Sequence, residues 1–96
     1  MPKVLLYITA KVTWIFLFFG TDVNENRAHV HAGKKSTEKY CKIWLDPNIS
    51  IAKTGTLTTS ELNEVLKITT EYQSQLIKQW KDFAEGKIIK MITIKK

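Results

Sequence analysis

Two histidines separated by one residue, His29 and His31, sit in the stretch NENRAHVHAGKK at residues 24–35. In an extended chain alternate side chains point the same way, so both imidazoles share a side and Val30 faces the core. Two imidazoles at that spacing can chelate a metal. A third ligand is still required, and it would have to come from Asp22, Glu25, Glu38 or Asp46 on loops. The pair can also serve as base and acid on an RNA phosphodiester, with Arg27, Lys34 or Lys35 steadying the phosphate. The plainest alternative gives both rings no chemistry and bonds them to backbone or water at a strand edge. With so many cations beside them, the sequence predicts an exposed or half-exposed cationic patch for an anion or phosphate rather than a closed metal site.

A second candidate surface lies in KYCKIWL, residues 39–45, where Tyr40, Lys42 and Trp44 alternate with Cys41, Ile43 and Leu45. The first trio has the aromatic and basic weave of a stacking platform for single strands, and serves equally as a dimer contact. The second trio reads as core, with Cys41 unreactive. As the sole cysteine, Cys41 rules out an internal disulfide and a thiolate zinc cage, and fits a reducing, cytoplasmic compartment. No phosphate loop, nucleophile elbow or nucleotide fingerprint is present, so neither a cofactor nor nucleotide-dependent catalysis is expected.

The elements that position these residues follow from periodicity. KVLLYI and VTWIFLFF, separated by TAK, read as two antiparallel strands. Both alternating sets of the second, Val12, Trp14, Phe16, Phe18 and Thr13, Ile15, Leu17, Phe19, are almost wholly apolar, which places it mid-sheet with both faces covered. GTDVNEN is a loop, AHVHA a short strand, GKKSTE a turn, KYCKIWL a strand ended by DPN, and ISIAK a fifth strand closing at the Gly55 turn.

From Thr58 the period changes. Thr58 with Glu61 forms a capping box, and Leu62, Val65, Leu66, Thr69, Tyr72, Leu76, Trp80 and Phe83 recur at helical spacing. The spacing predicts one long helix over 59–85, stopped at Gly86. Its acids crowd the first turns and its lysines come late, as the macrodipole favours, except for Asp82 and Glu85. The basic, apolar KIIKMITIKK that follows reads as a last strand, since a free tail of that composition would be prone to aggregate.

With 96 residues the chain forms one domain around one modest core. The class predicted is α+β: a curved antiparallel sheet of about five strands packed on one long C-terminal helix, with the C-terminal segment as a candidate last strand. One helix covers only one sheet face. Trp14, Phe16, Phe18, Tyr40 and Trp44 therefore need a partner protein, a second copy in a homodimer, or a sheet that rolls up on itself. Partner contacts are expected at Trp14, Tyr40, Trp44, Ile92 and Ile94.

The formal charge of +6 is carried outside the predicted helix, where acids outnumber lysines. Such a surface favours phosphate or acidic partners, so contact with RNA or DNA through Arg27, Lys34, Lys35 and Lys42 is expected. The N-terminal apolar stretch is broken by Lys11, Thr9 and Thr13 and falls short of the roughly 20 residues of a spanning helix. Neither a membrane segment nor a signal peptide is expected.

The order of a short MP start, two strands, HVHA, KIWLDP and LTTSELNEVLKITTEYQSQLIKQWKDFAEGK resembles the small bacterial proteins grouped as domain of unknown function 4160. The resemblance spans nearly the whole chain and is most specific at His29, His31, Trp80 and the Gly86–Lys87 pair. The family usually has two prolines before the first histidine, where this chain has Arg27 and Ala28. The resemblance implies no assigned activity. It implies a component of a toxin–antitoxin type gene pair, encoded beside another small protein. The expected function is thus a protein-binding component with a basic surface for nucleic acid, the alternative being a metal-free RNA-cleaving toxin using His29 and His31.

Overall fold

The computed structural model describes residues 2–19, 27–34 and 40–96. Strands β1 (Lys3–Ile8), β2 (Thr13–Leu17), β3 (His29–Lys34), β4 (Cys41–Trp44) and β5 (Ser50–Lys53) precede helices α1 (Thr59–Glu71) and α2 (Gln73–Ala84), and β6 (Ile92–Lys95) ends the chain. The sheet is open, in the order β5-β4-β3-β2-β1-β6.

The class is α+β, with corrections to the detail. The C-terminal segment is a strand, and it pairs parallel to β1, with Leu5 opposite Ile92 and Tyr7 opposite Ile94. The sheet is therefore six-stranded and mixed rather than antiparallel throughout. Gln79 of α2 accounts for part of this placement: its Nε2 donates to the carbonyls of both Val4 and Lys90, 3.0 Å each, tying the returning chain to β1.

The single long helix is two. Tyr72 interrupts it at φ −110°, ψ 18°, although its N–H still donates to the Ile68 carbonyl. Just before the break, the Thr69 and Thr70 hydroxyls donate to the carbonyls of Val65 and Leu66 at 2.6 and 2.8 Å. Bonds of this kind compete for helical acceptors and bend helices. The Tyr72 ring meets Tyr7 of β1 edge-on, centroids 6.4 Å apart.

The helix ends form as the sequence predicts. Thr58 and Glu61 make both bonds of the capping box, and Gly86 adopts φ 77°, with Gly86 N–H donating to Phe83 and Lys87 N–H to Asp82. That pair of bonds is a Schellman ending. The two acids that oppose the macrodipole each meet a lysine, Asp82 with Lys78 at 3.5 Å and Glu85 with Lys87 at 2.9 Å. No helix among the described residues is long and apolar enough to cross a membrane.

The core lies between sheet and helices. Trp14, Phe16, Phe18, Val30, Ile43 and Leu45 pack with Val65, Ile68, Leu76 and Trp80. β2 sits between β1 and β3, and its other set is also buried, Ile15 at 7 % and Leu17 at 3 % exposure. The register sets Gly33 beside Ile15 and His31 beside Leu17. The Tyr40 ring occupies the space a side chain on Gly33 would need, and Phe19 lies 4.2 Å from His31. Aromatic rings thus shelter the face the helices do not cover. Gly33, expected in a turn, is a strand residue, and its missing side chain admits the Tyr40 ring.

Candidate nucleic-acid interface

On the face away from the helices, β3 and β4 place His29 opposite Trp44 and His31 opposite Lys42. A row of rings results: Phe19 against His31, His31 5.4 Å from His29, and His29 5.6 Å from Trp44, the last two contacts edge-on. Trp44 carries two cations. The Arg27 guanidinium lies 4.3 Å from the ring centroid and the Lys42 ammonium 4.6 Å, both within cation–π range. Arg27 is fixed further by its Nε, which donates to the Asp46 carbonyl at 2.8 Å.

The two histidines do share a side, but they are not equivalent. His29 is fully buried. Its Nδ1 donates to the Arg27 carbonyl at 2.9 Å, and Trp80 reaches its ring at 4.8 Å where β2 ends and β3 begins. His31 is half-buried. The expectation that both form an open cationic patch is therefore corrected for His29, whose strand-end position lets Trp80 close over it.

Lys34 departs from the expected cluster. Alternation sends it to the helix side with Trp14, its partner on β2, and there it pairs with Glu61. This neighbour, with the Thr58 N–H, holds the Glu61 carboxyl below its ordinary range. Lys35 lies outside the described residues. Of the expected cations, the structure brings Arg27 and Lys42 to the site.

Among the expected partner contacts, Trp14 is 1 % exposed within the core and offers no surface, because it lies on the helix-covered side of β2. Tyr40 and Trp44 are half-buried on the other side, and Ile92 and Ile94 pack partly on the core. Cys41 is buried, and burial pushes its thiol up to about 11. For a metal, Asp22, Glu25 and Glu38 lie outside the described residues, and among the described residues no group of three His, Cys, Asp or Glu side chains assembles.

Two contributors escaped sequence reasoning, Phe19 over His31 and the Asp46 carbonyl that fixes Arg27. The signal for the first was the glycine turn directly after an aromatic run. For the second there was none, since Arg27 and Asp46 meet only through the pairing of β3 with β4.

A small α+β domain whose open sheet is covered by helices on one side and carries a basic, aromatic cluster on the other is the class these features define. The family model described as domain of unknown function (DUF4160) matches residues 13–81, and the chain belongs to that family. The matched span contains the whole cluster and leaves β1 and β6 outside. No curated protein and no solved structure matches the chain.

Proposed function

We propose that the protein is a binding component of a small bacterial two-protein system of the toxin–antitoxin type, and that the Arg27–Trp44–Lys42 face contacts single-stranded nucleic acid. The observation that carries the nucleic-acid part is the pair of cations held over one indole. Two positive charges kept in place by a rigid ring lose little freedom on meeting a phosphodiester. Arg27 is exposed, so its terminal N–H groups are open to phosphate oxygens, and the neighbouring rings provide surfaces on which bases stack.

The RNA-cleaving alternative requires two imidazoles at one phosphate. His29 is enclosed by Trp44, Trp80 and His31, which leaves His31 alone within reach and favours binding over cleavage.

The test is fluorescence anisotropy with a labelled single-stranded oligoribonucleotide and its DNA counterpart across a salt series. Each phosphate contact on a single strand contributes a slope near 0.7 in log K against log salt, so Lys42→Ala should reduce the slope by about that amount. Trp44→Ala, which removes the ring that both cations rest on and with it a stacking surface, should weaken binding by about tenfold or more. Absence of binding at low salt, or binding indifferent to Trp44, overturns the reading. Cleavage of the oligoribonucleotide that is lost in a folded His31→Ala protein would restore the enzymatic one.

A further inference from the structure

The outer edge of β6 combines features that the nucleic-acid face does not use. β6 is the last strand of the sheet, so among the described residues no further strand pairs with its outer side. Thr93 and Lys95 point outward and are exposed, while Ile92 and Ile94 turn toward the core. Beside this edge Ile88 is 93 % exposed and Met91 43 %. Lys90, Lys95 and Lys96 lie in the same segment, with no acid between residues 87 and 96, and Glu85 is engaged by Lys87.

The opposite edge is built differently. β5 pairs with β4 through an irregular register at Lys42 and Ile43, and such bulges blunt an edge. Lysines alone would protect β6 in the same manner, but here they are joined by the exposed apolar side chains of Ile88 and Met91.

We infer that the β6 edge is a docking site for an extended acidic segment of the partner protein, which adds to the sheet as a seventh strand. Backbone N–H and C=O groups on an open edge are matched by another polypeptide strand. Ile88 and Met91 offer apolar contact, and the lysines select Asp and Glu side chains. A second copy of this chain fits poorly, because pairing two β6 edges gathers Lys90, Lys95 and Lys96 of both copies along one short seam with no acid from this segment to offset them. A nucleic acid would satisfy the lysines but not the strand edge or the isoleucine. The inference rests on the two-protein part of the proposed function and not on the nucleic-acid face, so the two fail separately.

The experiment is selection of a displayed library of random short peptides on the intact protein, followed by hydrogen exchange of the full chain with the best peptide bound. Recovered peptides should alternate Asp or Glu with apolar residues, and exchange should slow over 88–95. The double variant Lys90→Glu/Lys95→Glu, altered only at exposed positions, should keep its circular dichroism spectrum and lose at least tenfold in affinity. Failure to recover peptides, recovery of non-acidic ones, protection elsewhere, or protection of 88–95 by an oligonucleotide each overturn the proposal. A dimer in sedimentation that Ile88→Glu dissociates would overturn it in favour of a second copy.

Discussion

The enclosure of His29 by three aromatic rings, with its Nδ1 bonded to the Arg27 carbonyl, makes truncation there a core event. His29→Ala should cost about 2–4 kcal/mol in urea unfolding, in the range of other buried large-to-small changes. His31→Ala should stay within about 1 kcal/mol. Equal small losses at both positions would show that the Trp80 contact is not maintained in solution. The Cys41 thiol supplies a test from pH. Its value rises from 9.0 in the unfolded chain to about 11 in the folded one because burial penalises the thiolate. The folded state therefore binds its proton more tightly, so the stabilisation is complete below pH 9 and is lost as pH rises toward 11, by roughly 3 kcal/mol at most. Cys41→Ala should flatten that alkaline decline, and a thiol reagent at pH 8 should leave the native thiol unmodified. The inward turn of Cys41 and the outward turn of Lys42 and Trp44 were legible in the alternation of KYCKIWL, because strand neighbours alternate sides whatever the sheet becomes.

Among the elements, α1 draws its start from residues that touch within one turn. Thr58→Ala removes a bond to the Glu61 N–H and should cost about 1 kcal/mol, read as a shift in the urea midpoint. The Glu61 carboxyl, held low by Lys34 first and by the Thr58 N–H, favours the folded state when ionised. Its contribution is present above about 4.5 and disappears as pH falls through its lowered folded value. Glu61→Gln should therefore reduce the midpoint at pH 7 and alter it much less at pH 3, whereas an equal effect at both would exclude the ionised bridge. The capping box and the Gly86 stop could be read in advance because each needs only adjacent residues. The break at Tyr72 could not, since helical spacing runs through it unbroken and the interruption shows itself only in the threonine bonds and the contact with Tyr7.

At the scale of the molecule, Trp80 joins layers that are distant in the chain. It packs edge-on against Phe18 at 5.5 Å, lies 6.4 Å from Phe83, and covers His29. Trp80→Ala should cost about 3–5 kcal/mol, a large part of the roughly 5–15 kcal/mol that stabilises a small domain. Because His29 borders both Trp80 and Trp44, the variant should also weaken oligonucleotide binding under conditions where it remains folded. Unfolding curves and anisotropy on the same sample check both outcomes. A stable variant with unchanged unfolding would place Trp80 outside the core.

Composition and period were sufficient for the α+β class, the amphipathic stripe from Leu62 to Phe83, the buried middle strand and the shared side of His29 and His31. All of these depend on neighbours a few positions apart. Other features depended on which distant segments came together. Gln79 meets the Val4 carbonyl 75 positions away, which helps set β6 parallel to β1. Arg27 meets the Asp46 carbonyl 19 positions away, which gathers two cations on Trp44. Lys34, so close to the histidines in sequence, went to Glu61 because β3 faces the helices on that side. A strand's alternation says that two faces exist, but only the packed helices decide which face they cover, and with it which lysines remain beside the histidines.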